Sequence, residues 1–168
     1  KDMDHGVYGN KYFDRVSNRY APHNVYTSME RLDSLRESLG FTTSNFTPFK
    51  RITEADQADN STAEKASSIS FNISSPLYNT SYSYDATTNV YKRTLANAPH
   101  NDERSGKQIS PSVVVAMIMN YSIHPDGIHS VYDNVGSGKV YIFQNGIVLQ
   151  GTWEKPTDNA SLAFKDSS

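Results

Sequence analysis

The sequence predicts an α+β fold: a twisted, mostly antiparallel β-sheet with one principal amphipathic helix. Three observations carry that expectation. Short segments of alternating apolar and polar residues recur from Ser68 to Lys165, the period of strands with one covered face. Turn-forming sequences separate them, above all Asn145-Gly146, whose residues both tolerate positive φ. Only Met29–Leu39 shows helical spacing, with Met29, Leu32, Leu35 and Leu39 on one side and Glu30, Arg31, Asp33, Arg36 and Glu37 on the other.

Taken in order, Lys1–Tyr20 is polar and aromatic without a sustained period, and reads as loop with one short strand or turn. Ala21-Pro22-His23-Asn24 is a loop, because Pro22 biases Ala21 away from helical angles. Val25–Thr27 follows as a short strand, Ser28 caps the helix and Gly40 ends it. Phe41–Ile52 is expected to pack irregularly. Thr53–Ser67 has no large apolar side chain and reads as an exposed loop or insert. Ser68–Ser74 is a half-buried strand through Ile69, Phe71 and Ile73, stopped by Pro76.

Tyr78–Tyr84 and Asn89–Leu95 form a hairpin around Asp85–Asn89, and Ala98–Arg104 is a polar loop. Val113–Met119 is apolar throughout, so a central strand buried on both faces is expected. His124–His129 turns through Pro125-Asp126-Gly127 into a strand, and Gly136-Ser137-Gly138 breaks it. Lys139–Gln144 and Ile147–Glu154 form the second hairpin, and Ser161–Lys165 adds an edge strand. All of this is expected to form a single domain over 1–168, long enough to bury a core.

Composition narrows the function classes. With 16 basic and 18 acidic residues there is no basic excess to grip a phosphate backbone, so nucleic acid is not an expected partner. The absence of cysteine excludes disulfides, thiolate metal sites and a Cys nucleophile. No apolar run is long enough for a membrane helix. No cofactor motif and no metal site is expected. Gly136-Ser137-Gly138-Lys139 lacks the spacing and the following helix of a phosphate loop. His124, Asp126 and His129 are separated by Pro and Gly, which favours a turn over a metal half-site.

The chemistry-bearing residues collect around a duplicated tetrapeptide. Ala-Pro-His-Asn occurs at Ala21–Asn24 and again at Ala98–Asn101. His23 and His100, with Asp102, are candidates for an acid/base pair, because imidazole titrates near neutrality and a carboxylate can fix its tautomer. The alternative is that each His and Asn holds its own loop. Arg93 lies in a strand: on a wet face it is an ordinary edge charge, whereas a buried guanidinium needs either a carboxylate, with Asp85 or Asp102 nearest at hand, or a ligand anion. Arg15 and Arg19 precede the first His loop and would add positive charge there. Trp153, the sole Trp, is a core residue or a stacking surface for a sugar or base, with Lys155 on the same strand face.

Four pieces in order resemble the YerB-type lipoprotein family of Gram-positive bacteria, a family without assigned function. They are Arg19-Tyr-Ala-Pro-His-Asn-Val-Tyr-Thr27, then Tyr84-Asp85 with Tyr91-Lys-Arg93, then His100-Asn-Asp102 with Gly106-Lys-Gln108, and finally Gly136-Ser-Gly-Lys139 through Asn145-Gly146 to Gly151-Thr-Trp-Glu-Lys155. The resemblance implies the C-terminal part of a longer exported protein, extracytoplasmic and held to the membrane only by a lipid anchor outside these residues. Its expected partners are the preceding N-terminal half of the same protein and cell-wall material. The expectation is thus a non-catalytic binding or scaffolding domain for an anionic wall ligand, with His23, Asn24, Arg19, Arg93, His100, Asp102, Trp153 and Lys155 as ligand-binding candidates. Two alternatives stand beside it: an enzyme on wall polymer with His100 and Asp102 as its acid–base pair, and an interaction domain docking its own N-terminal half or another surface protein.

Overall fold

A computed structural model describes residues 3, 5–43, 48–49 and 62–166. The chain divides into two compact units, Lys1–Arg51 and Ile52–Ser168.

In the first unit, a helical turn α1 (His5–Tyr8) and a 3-10 turn (Gly9–Lys11) lead into β1 (Asp14–Arg15), which pairs antiparallel with β2 (Val25–Tyr26). Helix α2 spans Met29–Ser38. The Ser28 hydroxyl accepts from the Arg31 N–H at 3.3 Å, satisfying one of the donors a helix start leaves open. Gly40 takes φ of +69° beyond the last turn, the left-handed exit that glycine adopts without strain. Leu35 is fully buried against Tyr12 and Phe13, with Leu32 and Leu39 partly buried beside it. Met29 leaves the expected stripe and is 73% exposed, so the helix covers its core through three leucines.

The second unit is built from antiparallel pairs among the described residues. One sheet has the order β3 (Ser68–Phe71), β4 (Thr80–Asp85), β5 (Val90–Leu95), β6 (Ala98–Pro99). Another pairs β7 (Val113–Met117) with β10 (Gly136–Gln144), then β11 (Ile147–Lys155) and β12 (Ala163–Asp166). Between them in sequence, β8 (Tyr121–Ile123) and β9 (Ser130–Tyr132) form a separate ribbon.

Two segments change partners and stitch the larger sheets together. Glu64–Ala66 bonds β11, through Ala66 N–H to Gly146 O at 2.7 Å and Val148 N–H to Glu64 O at 2.9 Å, and the same chain continues as β3 on β4. Ile109–Pro111 bonds β5, through Arg93 N–H to Ile109 O at 2.9 Å and Tyr91 N–H to Pro111 O at 2.8 Å, and continues as β7 on β10. The hydrogen-bonded order therefore runs β10, β11, 64–71, β4, β5, 109–117 and back to β10. Ile69, Tyr91 and Val114 form its buried cluster, with Phe71, Tyr82, Tyr84 and Phe143 packed against them.

The hairpin turns of the two sheets meet. Asn145 and Gly146 take φ of +53° and +74°, the primed turn their sequence predicts. The Gly146 N–H donates to the Tyr91 hydroxyl at 3.1 Å, and a Cβ on Gly146 would lie 2.6 Å from the Tyr84 ring. Asn89 donates to the Asn145 side chain at 3.0 Å and accepts from the Tyr84 hydroxyl at 2.9 Å. Burial pushes the Tyr91 hydroxyl pKa up.

Two expectations are corrected. Val113–Met119 is not buried on both faces: Val114 is in the core, while Val113 and Val115 are 45% and 40% exposed. An apolar run records the absence of polar residues, and does not count covered faces. Gly136-Ser137-Gly138 is the start of β10 rather than a break; Gly138 faces Trp153, and a Cβ there would sit 2.6 Å from the indole Nε1. Of the exposed loop expected over 53–67, residues 53–61 fall outside the described residues, and 62–67 is turn and bend, mostly exposed, with an isolated bridge from Lys65 to Ile147.

Tyr91→Phe removes the acceptor of the Gly146 amide and is expected to cost about 1–3 kcal/mol. Gly146→Ala adds positive-φ strain of about 1–2 kcal/mol before any displacement of Tyr84. Urea denaturation checks both. A Tyr91→Phe protein within about 0.5 kcal/mol of wild type, the ordinary scatter of a surface change, would show that this bond does not join the hairpins.

Candidate functional site

Arg93 sits on β5 two residues after the buried Tyr91, and so on the core-facing side. Its cross-strand partner on β4 is Tyr82, and its guanidinium carbon lies 6.0 Å from that ring. The pairing of Thr94 with Pro99 continues to place His100 opposite Arg93, with His100 N–H donating to Arg93 O at 3.0 Å. Residues paired this way project side chains to the same face. The strand expected to carry a cation therefore sets a guanidinium beside a phenol ring, with the backbone of His100 bonded alongside.

Both side chains have polar atoms left over. Arg93 Nη2 donates to Thr80 Oγ1 at a long 3.4 Å, but its Nε is buried without a hydrogen-bond partner. His100 Nδ1 is likewise buried and unpartnered. Neither Asp85 nor Asp102 supplies the expected counter-charge. Asp85 pairs with Lys92 at 2.6 Å, and that contact, helped by the Thr87 amide, lowers its pKa to about 2. Asp102 accepts from the Ser105 N–H at 2.7 Å within its own turn, and Ser105 holds its pKa below the ordinary value. The carboxylate that was expected to orient His100 is thus occupied with its loop.

The remaining candidates separate. Arg19, His23 and Asn24 belong to the first unit, and Arg93, His100, Asp102, Trp153 and Lys155 to the second. Asn24 is buried and structural: its Oδ1 accepts from Arg15 at 2.6 Å and its Nδ2 donates to Val16 O at 3.1 Å, bracing the β1–β2 ribbon. His23 and Arg19 are exposed in the loop preceding it. Lys155 donates to Asp158 O at 3.0 Å. In the β8–β9 turn, both His124 and His129 place Nδ1 on one Asp126 oxygen, at 3.0 and 2.6 Å, while the other oxygen takes two amides. The His129 contact leads in lowering the Asp126 pKa to about 2.

Trp153 is 1% exposed and donates its indole N–H to Ile118 O at 2.8 Å. It is a core residue, and it floors a cleft of about 580 Å³ between the beginning of β10 and the base of the β8–β9 ribbon. Asn120, Tyr132, Asp133, Asn134 and Ser137 rim this cleft. Sequence reading passed over them, because isolated polar residues carry no spacing signal until the strands on either side are placed. Among the described residues no group of three or more His, Asp and Glu is arranged to hold a metal ion.

Residues 69–168 match the family described as "Protein of unknown function (DUF3048) C-terminal domain". No curated protein sequence matches the chain. The crystal structure of the YerB protein from Bacillus subtilis superposes with a TM-score of 0.77 over 99% of this chain, at 19% identity. At that identity the likeness concerns the fold. The chain spans 54% of the YerB chain, about half its length.

Asp85 and Asp126 give a pH prediction. Each has a folded pKa near 2 against an ordinary 3.8, so its contact stabilises the fold above pH 3.8 and is lost as pH falls towards 2. The urea midpoint should decline across that interval, and Asp85→Asn should flatten the decline. An unaltered profile in Asp85→Asn would show that the Lys92 contact contributes nothing in solution.

Proposed function

We propose, on the premise that the chain belongs to the DUF3048 family of proteins of unknown function, that it is a non-catalytic binding or scaffolding domain whose anion-recognising element is the Arg93–His100 pair. The observation that carries this reading is the coincidence of two buried, unpartnered nitrogens on cross-strand neighbours, with nearby Asp85 and Asp102 committed elsewhere. Among the described residues no carboxylate pairs with this inward guanidinium, a cost in free energy that a bound carboxylate or phosphate offsets. The resemblance to exported lipoproteins supplies the setting: an extracytoplasmic, lipid-anchored protein, with anionic cell-wall material as ligand. The catalytic alternative has less support, because His100 Nδ1 meets no carboxylate.

A second reading is favoured by one observation. The β8–β9 ribbon exposes Tyr121, Ile123, Ile128 and Tyr132 by 63%, 59%, 80% and 55%. Such a ribbon suits a protein–protein contact, and the greater length of YerB makes the other half of the same protein the first partner to try.

Calorimetric titration with glycerol phosphate and with muramyl dipeptide separates a phosphate from a carboxylate ligand. Binding to either should weaken by about tenfold to a hundredfold in Arg93→Ala, the range of a lost charge-assisted hydrogen bond. Arg93→Lys should recover part of it. Equal affinity in wild type and Arg93→Ala would remove the proposal.

A further inference from the structure

We propose that the cleft floored by Trp153 is a binding site for a neutral sugar unit, independent of the Arg93–His100 pair. Its volume of about 580 Å³ falls within the range of small-molecule sites. Its rim offers what a ring of hydroxyl groups needs. The amides of Asn120 and Asn134 each donate and accept, Asp133 accepts, and the Ser137 hydroxyl does either. Tyr132, tilted against Tyr121 at a centroid distance of 5.9 Å, leaves a half-open aromatic face for the C–H side of a pyranose.

The commitments of these side chains bear on the cleft. Three other carboxylates of this unit are engaged elsewhere: Asp85 with Lys92 and Thr87, Asp102 with Ser105, Asp126 with both histidines. Asp133 does not; its backbone N–H donates to Asn120 O at 2.9 Å, which fixes the two residues side by side. Among the described residues, the side chains of Asn120, Asp133, Asn134 and Ser137 make no hydrogen bond or ion pair within the chain. Four uncommitted polar side chains thus converge on one concavity.

Other ligand classes fit less well. An anion would meet the Asp133 carboxylate, while the Lys139 ammonium is drawn to the Tyr141 ring, 5.8 Å from its centroid. An added peptide strand would need free backbone groups at the throat of the cleft. There, however, Ile118 N–H donates to Lys139 O and Ile118 O accepts from Trp153. A base stacking on Trp153 would need a ring face that is buried.

The test is a titration of the full chain with chitotriose, cellotriose and maltotriose, read by backbone amide shifts and by the fluorescence of the single Trp. At least one sugar should give saturable shifts confined to 118–120 and 132–139, with a Kd on the order of 1 mM. Asp133→Ala and Tyr132→Ala should each weaken it tenfold or more, with Asp133→Asn losing less than Asp133→Ala. Excess glycerol phosphate should leave these shifts in place, which keeps this site separable from Arg93. Absence of saturable shifts with all three sugars, persistence of the shifts in both variants, or their displacement by glycerol phosphate would overturn the proposal.

Discussion

The hydrogen bond from the Gly146 amide to the Tyr91 hydroxyl is the contact on which the second unit depends. It joins the turn of one hairpin to the buried centre of the other, where the bare face of Gly146 lets the Tyr84 ring close over it. With Tyr91 fully buried, its hydroxyl has no water to fall back on. The two partner-switching segments then run on either side of this junction, each bonded to both hairpins. Since Arg93 lies two residues from Tyr91 on the same strand, the junction also fixes the orientation of the cation.

What could be read from the sequence was what local chemistry decides. Asn145-Gly146 and Asp85–Asn89 announced their hairpins through turn conformation, and Ser28 and Gly40 announced the ends of the helix, because each acts within a few residues of itself. The partner switches were hidden, since bonding of Glu64–Ala66 to β11 depends on residues some eighty positions away. The parity of Arg93 with Tyr91 put both on one strand face, but whether that face is covered or wet depends on strands that the local sequence does not place. That His100 faces Arg93 follows only from the register of β6, a strand of two residues that reads as loop. The twin tetrapeptides carry the same letters and different duties: Asn24 is buried and braces Arg15, whereas Asn101 is exposed and pairs with Gln108 in an isolated bridge.

Polar groups in the second unit fall into two populations. Most are consumed by the turns they occupy, which makes those turns stiff and chemically quiet. Two sets of polar groups are not so consumed, one around Arg93 and core-facing beside Tyr82, the other neutral to acidic on the rim above Trp153. Their opposite electrostatic character argues for two ligand chemistries rather than one extended site.

The stitched arrangement of strands also dictates an order of events as the protein first folds. The first hairpin has both of its flanking segments once residue 111 is present, but those segments cannot take up their second partners, β10 and β11, until the last third of the chain is present. Such long-range closure slows folding and prolongs the life of open strand edges. A shortened chain ending before Gly146 would keep its helix and its first hairpin turn, but it would have no means of completing the ring.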